Sequence, residues 1–278
     1  MDRSVEGRAG LITGASSGIG RALAVVMAEK GYDLALFARR EDRLESLKAE
    51  IEEKFGRRVF TFSCDVRNEK DMRKCVPAAV EALGRLDVLV SNAGYTIPGA
   101  FADLGVEDYR CIFDTNFFGM LNTIYPALDA LRESEGTVVI VGSILGELGI
   151  MDRSAYVATK FAIRGFYESV RYEFKEMGVS VLLAEPGFVK TELRFMDRQG
   201  ERLRVVTDSR RKETSHGIAV PPVVVARQIV RHLPMKGYKR RIITGHAHVM
   251  AFFNRLSPGM MTSIIYQNRD VIRKKIVK

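Results

Sequence analysis

The sequence predicts an α/β fold: a doubly wound parallel sheet with helices on both faces, in a single domain. Three observations predict it. Short apolar runs alternate with segments of helical period from the start of the chain to about Pro186. A glycine-rich turn falls between the first such strand and the first such helix. No Pro/Gly/Ser linker, repeat or low-complexity tract interrupts the alternation. This order calls for parallel strands joined by right-handed crossovers. Such sheets bind ligands beyond the C-terminal ends of their strands, where the strand order reverses.

The elements follow in order. Ala9–Thr13 reads as a buried strand, and residues 19–30 as a helix with Ile19, Leu23, Val26 and Met27 on one face. Residues 33–37 form the next strand, followed by a charged helix whose Leu44, Leu47, Ile51 and Phe55 line one side. Val59–Ser63 is the third strand, and Met72, Val76, Val80 and Leu83 form the stripe of the helix after it. Strand 86–91, a long helical region over 106–131, strand 137–142, a helix over 154–177 and strand 179–184 continue the rhythm. Beyond Pro186 the alternation breaks. Residues 187–220 are polar, basic and irregular, too long for a simple connection, and read as a lid or substrate loop. A helix over 222–233 with Pro in its first turn and a last strand over 241–244 follow. One domain over 1–278 is expected, with 249–278 as a C-terminal extension that is apolar and basic by turns.

The 278 residues, 46% hydrophobic and 28% charged, suit a globule with a substantial core rather than a disordered chain. Three widely spaced cysteines give no disulfide framework, which favours a reducing compartment and a cytoplasmic location. Neither a secretory signal nor an apolar run of about 18 residues is visible, so no spanning helix is expected. The net charge of +9 raises nucleic acid as a partner, but the basic residues are scattered, with denser groups at 198–212, 236–241 and 269–278. None is interleaved with aromatics, and no nucleic-acid partner is expected.

The turn Thr13-Gly14-Ala15-Ser16-Ser17-Gly18-Ile19-Gly20 carries the first chemical signal. Its glycines allow a tight turn and close backbone approach, and the following helix offers N–H groups and a positive dipole end to a pyrophosphate. No Gly-Lys-Ser/Thr closes it, so it is not a P-loop. A carboxylate some 20 positions on would accept the ribose hydroxyls of NAD. That place holds Ala38, followed by Arg39 and Arg40, whose guanidinium groups suit a 2′-phosphate instead. NADP(H) is therefore the expected cofactor.

Tyr156 and Lys160 lie four apart on a predicted helix and share a face. An ammonium near a phenol lowers its pKa from near 10 and makes it a usable acid or base. Ser143 falls at the end of the preceding strand, where its hydroxyl can hydrogen-bond a substrate carbonyl. A hydrolase elbow is excluded because Val141 and Leu145 replace the glycines it requires around Ser143. His246 and His248 have no carboxylate or thiolate pattern around them, and no metal site is expected.

Taken together, these motifs resemble the short-chain dehydrogenase/reductase family over about residues 7–192, a Rossmann-type core. The matching elements are the turn 13–20, Asp65 after the third strand, Asn92-Ala93-Gly94, Asn116, Ser143, Tyr156-x-x-x-Lys160, and Pro186-Gly187 with Thr191. The resemblance implies Tyr156 as proton donor, Lys160 lowering its pKa and holding the nicotinamide ribose, Ser143 orienting the carbonyl, and Asn116 holding a water relay to Lys160. It further implies cofactor contacts from Gly14, Ser16, Ser17, Gly18, Ile19, Gly20, Arg39, Arg40, Asp65, Val66, Asn92, Ala93, Gly94, Pro186, Gly187, Val189 and Thr191. The expected activity is hydride transfer between NADP(H) and a carbonyl or secondary alcohol; a sensor or scaffold that binds NADP(H) without chemistry is the alternative. Leu145, Met151, Phe188, Phe195 and Met196 are candidate pocket residues and point to a hydrophobic substrate. A homodimer or homotetramer is expected, and the tail from 249 is left open between subunit contact, pocket cover and peripheral membrane contact.

Overall fold

The structure, a computed structural model, describes residues 7–191, 219–233, 236–243 and 245–270. Most of the loop expected over 187–220, including Phe195 and Met196, lies outside the described residues, as do Thr244 and the chain end.

The first half builds β1 (Ala9–Thr13), α1 (Gly18–Glu29), β2 (Asp33–Ala38), α2 (Glu41–Phe55), β3 (Val59–Ser63), α3 (Glu69–Leu83) and β4 (Val88–Ser91). Then come α4 (Val106–Phe113), α5 (Gly119–Ile124), α6 (Leu128–Glu133), β5 (Thr137–Val141), α7 (Ser154–Glu176) and β6 (Ser180–Pro186). The chain closes with α8 (Pro222–Val230), β7 (Tyr238–Ile243), α9 (Gly245–Leu256) and α10 (Pro258–Gln267). The seven strands lie in the order β3-β2-β1-β4-β5-β6-β7, and every neighbouring pair is parallel. This is the doubly wound Rossmann order in one domain, and winding reverses between β1 and β4.

The central strands are buried at every position, as a parallel sheet covered on both faces requires. Successive side chains part to opposite faces. Ile12 of β1 and Val139 of β5 join a cluster with Leu23 and Met27 of α1, Leu44 and Leu47 of α2, and Val225 and Ile229 of α8. Leu11, Val138 and Ile140 point the other way, into a cluster with Val76 of α3, Ile124 of α5, and Ile163 and Tyr167 of α7. The edge strands differ. β3 is largely half-exposed, and β7 carries Lys239, Arg240 and Arg241, charges that discourage further strand pairing.

Two expectations are corrected. The long helix over 106–131 is three helices, interrupted by a π turn at Asp114–Phe118 and a 3-10 turn at Tyr125–Ala127. Pro126 accounts for the second break, since it has no N–H to continue the ladder. The last strand begins at Tyr238 rather than 241, because Arg240 is compatible with a strand position where Glu147 and Glu185 neutralise it.

Candidate active site

Every described site residue lies at the C-terminal end of the sheet or on the helix beside it. After β1 the chain turns sharply through Gly14, whose φ of +68° disfavours any side chain. A Cβ there would also sit 2.9 Å from the Cα of Ala93. One on Gly20 would run into the Gly14 carbonyl. This tightness comes from a lock between the β1 and β4 turns. The Thr13 hydroxyl accepts from the backbone N–H groups of Asn92 (3.0 Å) and Ala93 (3.2 Å), while the Asn92 amide donates to the Thr13 carbonyl at 3.0 Å. Thr191 comes round from the β6 side and rests on Gly18: a Cβ on that glycine would lie 3.3 Å from the Thr191 methyl. The strand ends of β1, β4 and β6 thus meet at the head of α1.

Arg39 and Arg40 follow β2 but diverge. The Arg40 guanidinium donates to the hydroxyls of Ser16 (2.7 Å) and Ser17 (3.1 Å), so it reaches over the glycine-rich turn. Arg39 points toward Asp65, 3.9 Å away, and its side chain is 43% exposed. Burial raises the Asp65 carboxyl, but hydrogen bonds from Arg67 and the nearby Arg39 charge outweigh it and hold the group below its ordinary range. Val66 is buried, and Asn122 fixes its carbonyl at 2.9 Å.

Asn116 sits in the π turn, a widening that often marks functional positions. Its side chain bridges Tyr95 N–H (3.0 Å) and carbonyl (3.1 Å) and donates to Thr159 Oγ1 at 3.1 Å. Thr159 in turn donates to the Tyr156 carbonyl at 2.8 Å, tying the turn to α7. Ser143 leaves β5 in extended backbone and caps a 3-10 turn, its Oγ accepting from Leu145 N–H at 3.1 Å. The same hydroxyl lies beside the Tyr156 phenol, close enough to favour its charged form. Lys160 is buried, donates to the Val141 carbonyl at 3.0 Å and lies 5.5 Å from the centre of the Tyr156 ring.

Burial dominates both titratable groups. It pushes the Tyr156 phenol up to about 12, against the opposing pull of the Ser143 hydroxyl and the Arg153 charge. It pushes the Lys160 ammonium down to about 8. The sequence predicts a phenol lowered by its lysine; in the folded chain desolvation is the larger effect and favours the neutral form of each.

A further layer of residues carries no signal in the sequence. Thr159 is one. Gly146 is another, because a Cβ there would lie 2.7 Å from the Lys160 carbonyl, so the 3-10 turn packs directly on α7. The third is Glu147, only 3% exposed in its side chain and bound by Arg240 of β7 and Arg255 of α9, with Arg164 of α7 at 3.8 Å. Arg240 also binds the buried Glu185 at the end of β6, and Asn254 donates to the Glu147 carbonyl at 3.0 Å. Around this network Ala247, Ala251 and Met261 of α9 and α10 pack with Ile144, Leu145 and Leu148, and Tyr156, Val157, Met250 and Ile265 lean on the cluster. The C-terminal helices are therefore the wall beside Tyr156. Of the candidate pocket residues, Leu145 is buried in that wall and Phe188 is 42% exposed.

A family profile described as short chain dehydrogenase matches residues 8–202. YxnA of Bacillus subtilis, an oxidoreductase described as uncharacterized, is 32% identical over 95% of the chain and 74% of its own length. The chain belongs to the short-chain dehydrogenase family. This short-chain dehydrogenase is also 38% identical to the 11-beta-hydroxysteroid dehydrogenase-like 2 protein of Arabidopsis thaliana, over 68% of the chain and 62% of that relative. It is 34% identical to human retinol dehydrogenase 8 over 66% of the chain and 59% of that relative. The chain thus spans about three-fifths of the length of these two plant and human relatives. Among solved structures, a short chain dehydrogenase from Burkholderia cenocepacia in complex with NADP superposes with a TM-score of 0.74 at 27% identity, covering 88% of this chain and 99% of that one. One from Mycobacterium paratuberculosis bound to NAD gives 0.74 at 25% identity, covering 88% and 99%. The family profile ends well before α8, so the wall built by α9 and α10 lies outside the matched core of this short-chain dehydrogenase.

Proposed function

We propose that this oxidoreductase transfers hydride between NADP(H) and the carbonyl or secondary alcohol of an apolar small molecule, with Tyr156 handling the proton. The observation that carries the reading is the Ser143–Tyr156–Lys160 grouping at the C-terminal end of β5. The residues fit a dinucleotide: Gly14 and Gly20 let the turn close tightly against the β4 loop at the head of α1, whose first N–H groups suit a pyrophosphate, and two guanidinium groups stand beside it. When bound, the nicotinamide supplies or takes the hydride.

The chain's own residues do the rest. Ser143 offers its hydroxyl to the substrate oxygen and orients it. Tyr156 gives its proton to that oxygen in reduction, and a phenol kept protonated by burial is suited to donate. Lys160, anchored on Val141, places a positive charge beside the phenol as its proton leaves. Asn116 fixes the 116–159–156 connection and so holds α7 against the strand ends. Gly14, Ser16, Ser17, Gly18, Ile19 and Gly20 cradle the pyrophosphate, Asp65 and Val66 flank the adenine, and Gly94, Gly187, Val189 and Thr191 line the nicotinamide side. Arg39 and Arg40 take the 2′-phosphate. The apolar wall of Ile150, Met250 and Ile265 supports an apolar substrate, as do the steroid and retinol in the names of the relatives.

The test is a screen of apolar ketones and alcohols with NADPH and NADH. Tyr156→Phe is expected to lower turnover by about 10²- to 10⁴-fold; near-normal turnover would overturn the mechanism. Arg39→Asp is expected to shift preference from NADPH toward NADH by about tenfold or more, since a carboxylate repels the phosphate. Equal turnover with both cofactors in the unmodified enzyme would remove the NADP(H) assignment.

A further inference from the structure

The two C-terminal helices are apolar on both sides. On α9 the inward face carries Ala247 and Ala251, buried in the wall beside Tyr156. The outward face carries Val249, Phe252, Phe253 and Leu256, at the i, i+3, i+4, i+7 spacing of one helical stripe, with exposures from 41% to 69%. Met260 and Ile264 of α10 are exposed to a similar degree. Large apolar residues grouped in this way mark an interaction surface.

Charge identifies the partner. The cations are not evenly scattered: from Thr214 to the end of the chain there are twelve lysines and arginines and a single carboxylate, Asp270. Among the described residues, Arg227, Lys236, Arg240 and Arg255 are the ones of these paired with carboxylates earlier in the chain. No acidic residue occurs anywhere in α9 or α10. At the end of the second helix Arg269 stacks on the ring of the exposed Tyr266 at 4.8 Å, an aromatic–cation pair suited to a boundary between apolar and polar surroundings. A second copy of the same face would bring like charges together. Nucleic acid would satisfy the cations but gives no reward for burying an aliphatic and phenyl stripe. An anionic lipid surface satisfies both at once.

We infer that α9 and α10 dock on an anionic membrane surface, the stripe of Val249, Phe252, Phe253, Leu256, Met260 and Ile264 entering the headgroup–acyl boundary and cations of this basic stretch of the chain meeting lipid phosphates. The interaction is peripheral, since among the described residues no helix is long and apolar enough to cross a membrane. It does not depend on the assignment of cofactor or substrate.

Flotation of the full chain with vesicles tests it. One set is phosphatidylcholine alone and the other includes about one part in three phosphatidylserine, each at low salt and at about 1 M. The expected result is flotation with the anionic vesicles that weakens in high salt and on neutral lipid. A Phe252→Ser/Phe253→Ser/Leu256→Ser variant should bind at least about tenfold less tightly. Its melting temperature should stay close to that of the unmodified chain, because the replaced side chains are exposed; Leu256→Ser, at the most exposed of the three positions, gives a milder second variant. The inference is overturned if the unmodified chain stays in the unbound fraction, or if both variants float as well as it does. Sedimentation velocity adds a third route: a dimer that the triple variant dissolves, with neither form captured by vesicles, would make the stripe a subunit contact instead. Retention on duplex DNA in place of vesicles would also overturn it.

Discussion

Lys160 shows how a single residue can serve the site at the expense of the fold. Its ammonium is buried with a carbonyl as its hydrogen-bond partner, and its folded-state pKa falls from 10.5 to about 8. A lysine depressed in this way costs stability below pH 8, where the folded chain must hold the charged form in a poorly solvated place. Between about 8 and 10.5 the unfolded chain binds the extra proton, so stability contributed at this position rises with pH. Lys160→Met removes the titration but also leaves the Val141 carbonyl without its donor, a loss that does not depend on pH. The stability of the variant relative to the unmodified chain should therefore be greatest near pH 7 and fall by up to about 3 kcal/mol on going to pH 10.5. Denaturant unfolding of both proteins across that range measures the difference; a constant gap would mean the ammonium is well solvated. Buried charge kept at a cost to stability is a mark of functional sites.

At the scale of elements, the question is what holds α9 and α10 against the strand ends. Burial raises the Glu147 carboxyl, but hydrogen bonds from Arg255 and Arg240 overcome it, and the group sits below its ordinary range. Neighbouring Glu185 is pushed the other way, its burial outweighing its share of Arg240. Glu147 is thus the anionic centre that joins β7 and α9 to the turn carrying Ser143. Glu147→Gln keeps the shape and loses the charge, leaving Arg240 with one carboxylate and Arg255 facing solvent. The expected loss is about 2–3 kcal/mol, below that of a fully buried pair because Arg255 is half-exposed. The sign with pH is fixed: a carboxylate of lowered pKa stabilises above the unfolded value and stops doing so as pH falls through the folded one. The gap between variant and unmodified chain should hold at neutral pH and close under acid, below about pH 4. Chemical denaturation at several pH values reads it, and a gap that widens in acid would put the stabilisation elsewhere.

At the scale of the molecule, what the sequence made legible was whatever local pattern encodes. The bounds of β1 and β3 coincide with those expected because runs of five residues rich in apolar, aromatic and β-branched side chains are too short for a helix between their turns. Tyr156 and Lys160 are legible because a helix puts i and i+4 side by side. The strand β7 was displaced because Lys239–Arg241 look like loop until the carboxylates on Arg240 are seen, and those lie 55 and 93 residues away from it. Partners at such separations leave no local period, so the Glu147 network and the wall it supports were hidden, and so was the choice of Arg40 over Arg39 as the group on Ser16 and Ser17. This division implies a physical one. The glycine-rich turn, Arg39, Arg40 and Asp65 rest on β1, β2, β3 and their helices, whereas α9 and α10 are held by one small apolar cluster and by Glu147. Local opening is easiest where few buried contacts must be given up. Ala251→Glu places a charge at a position 1% exposed in that cluster, and releasing the two helices is less costly than burying the carboxylate or unfolding the sheet. Hydrogen exchange in residues 245–267 should then accelerate strongly, while exchange in β1, β4 and β5 and the affinity for the dinucleotide change by less than about threefold. Simultaneous loss of protection across the whole sheet would show instead that the wall and the dinucleotide half form one cooperative unit.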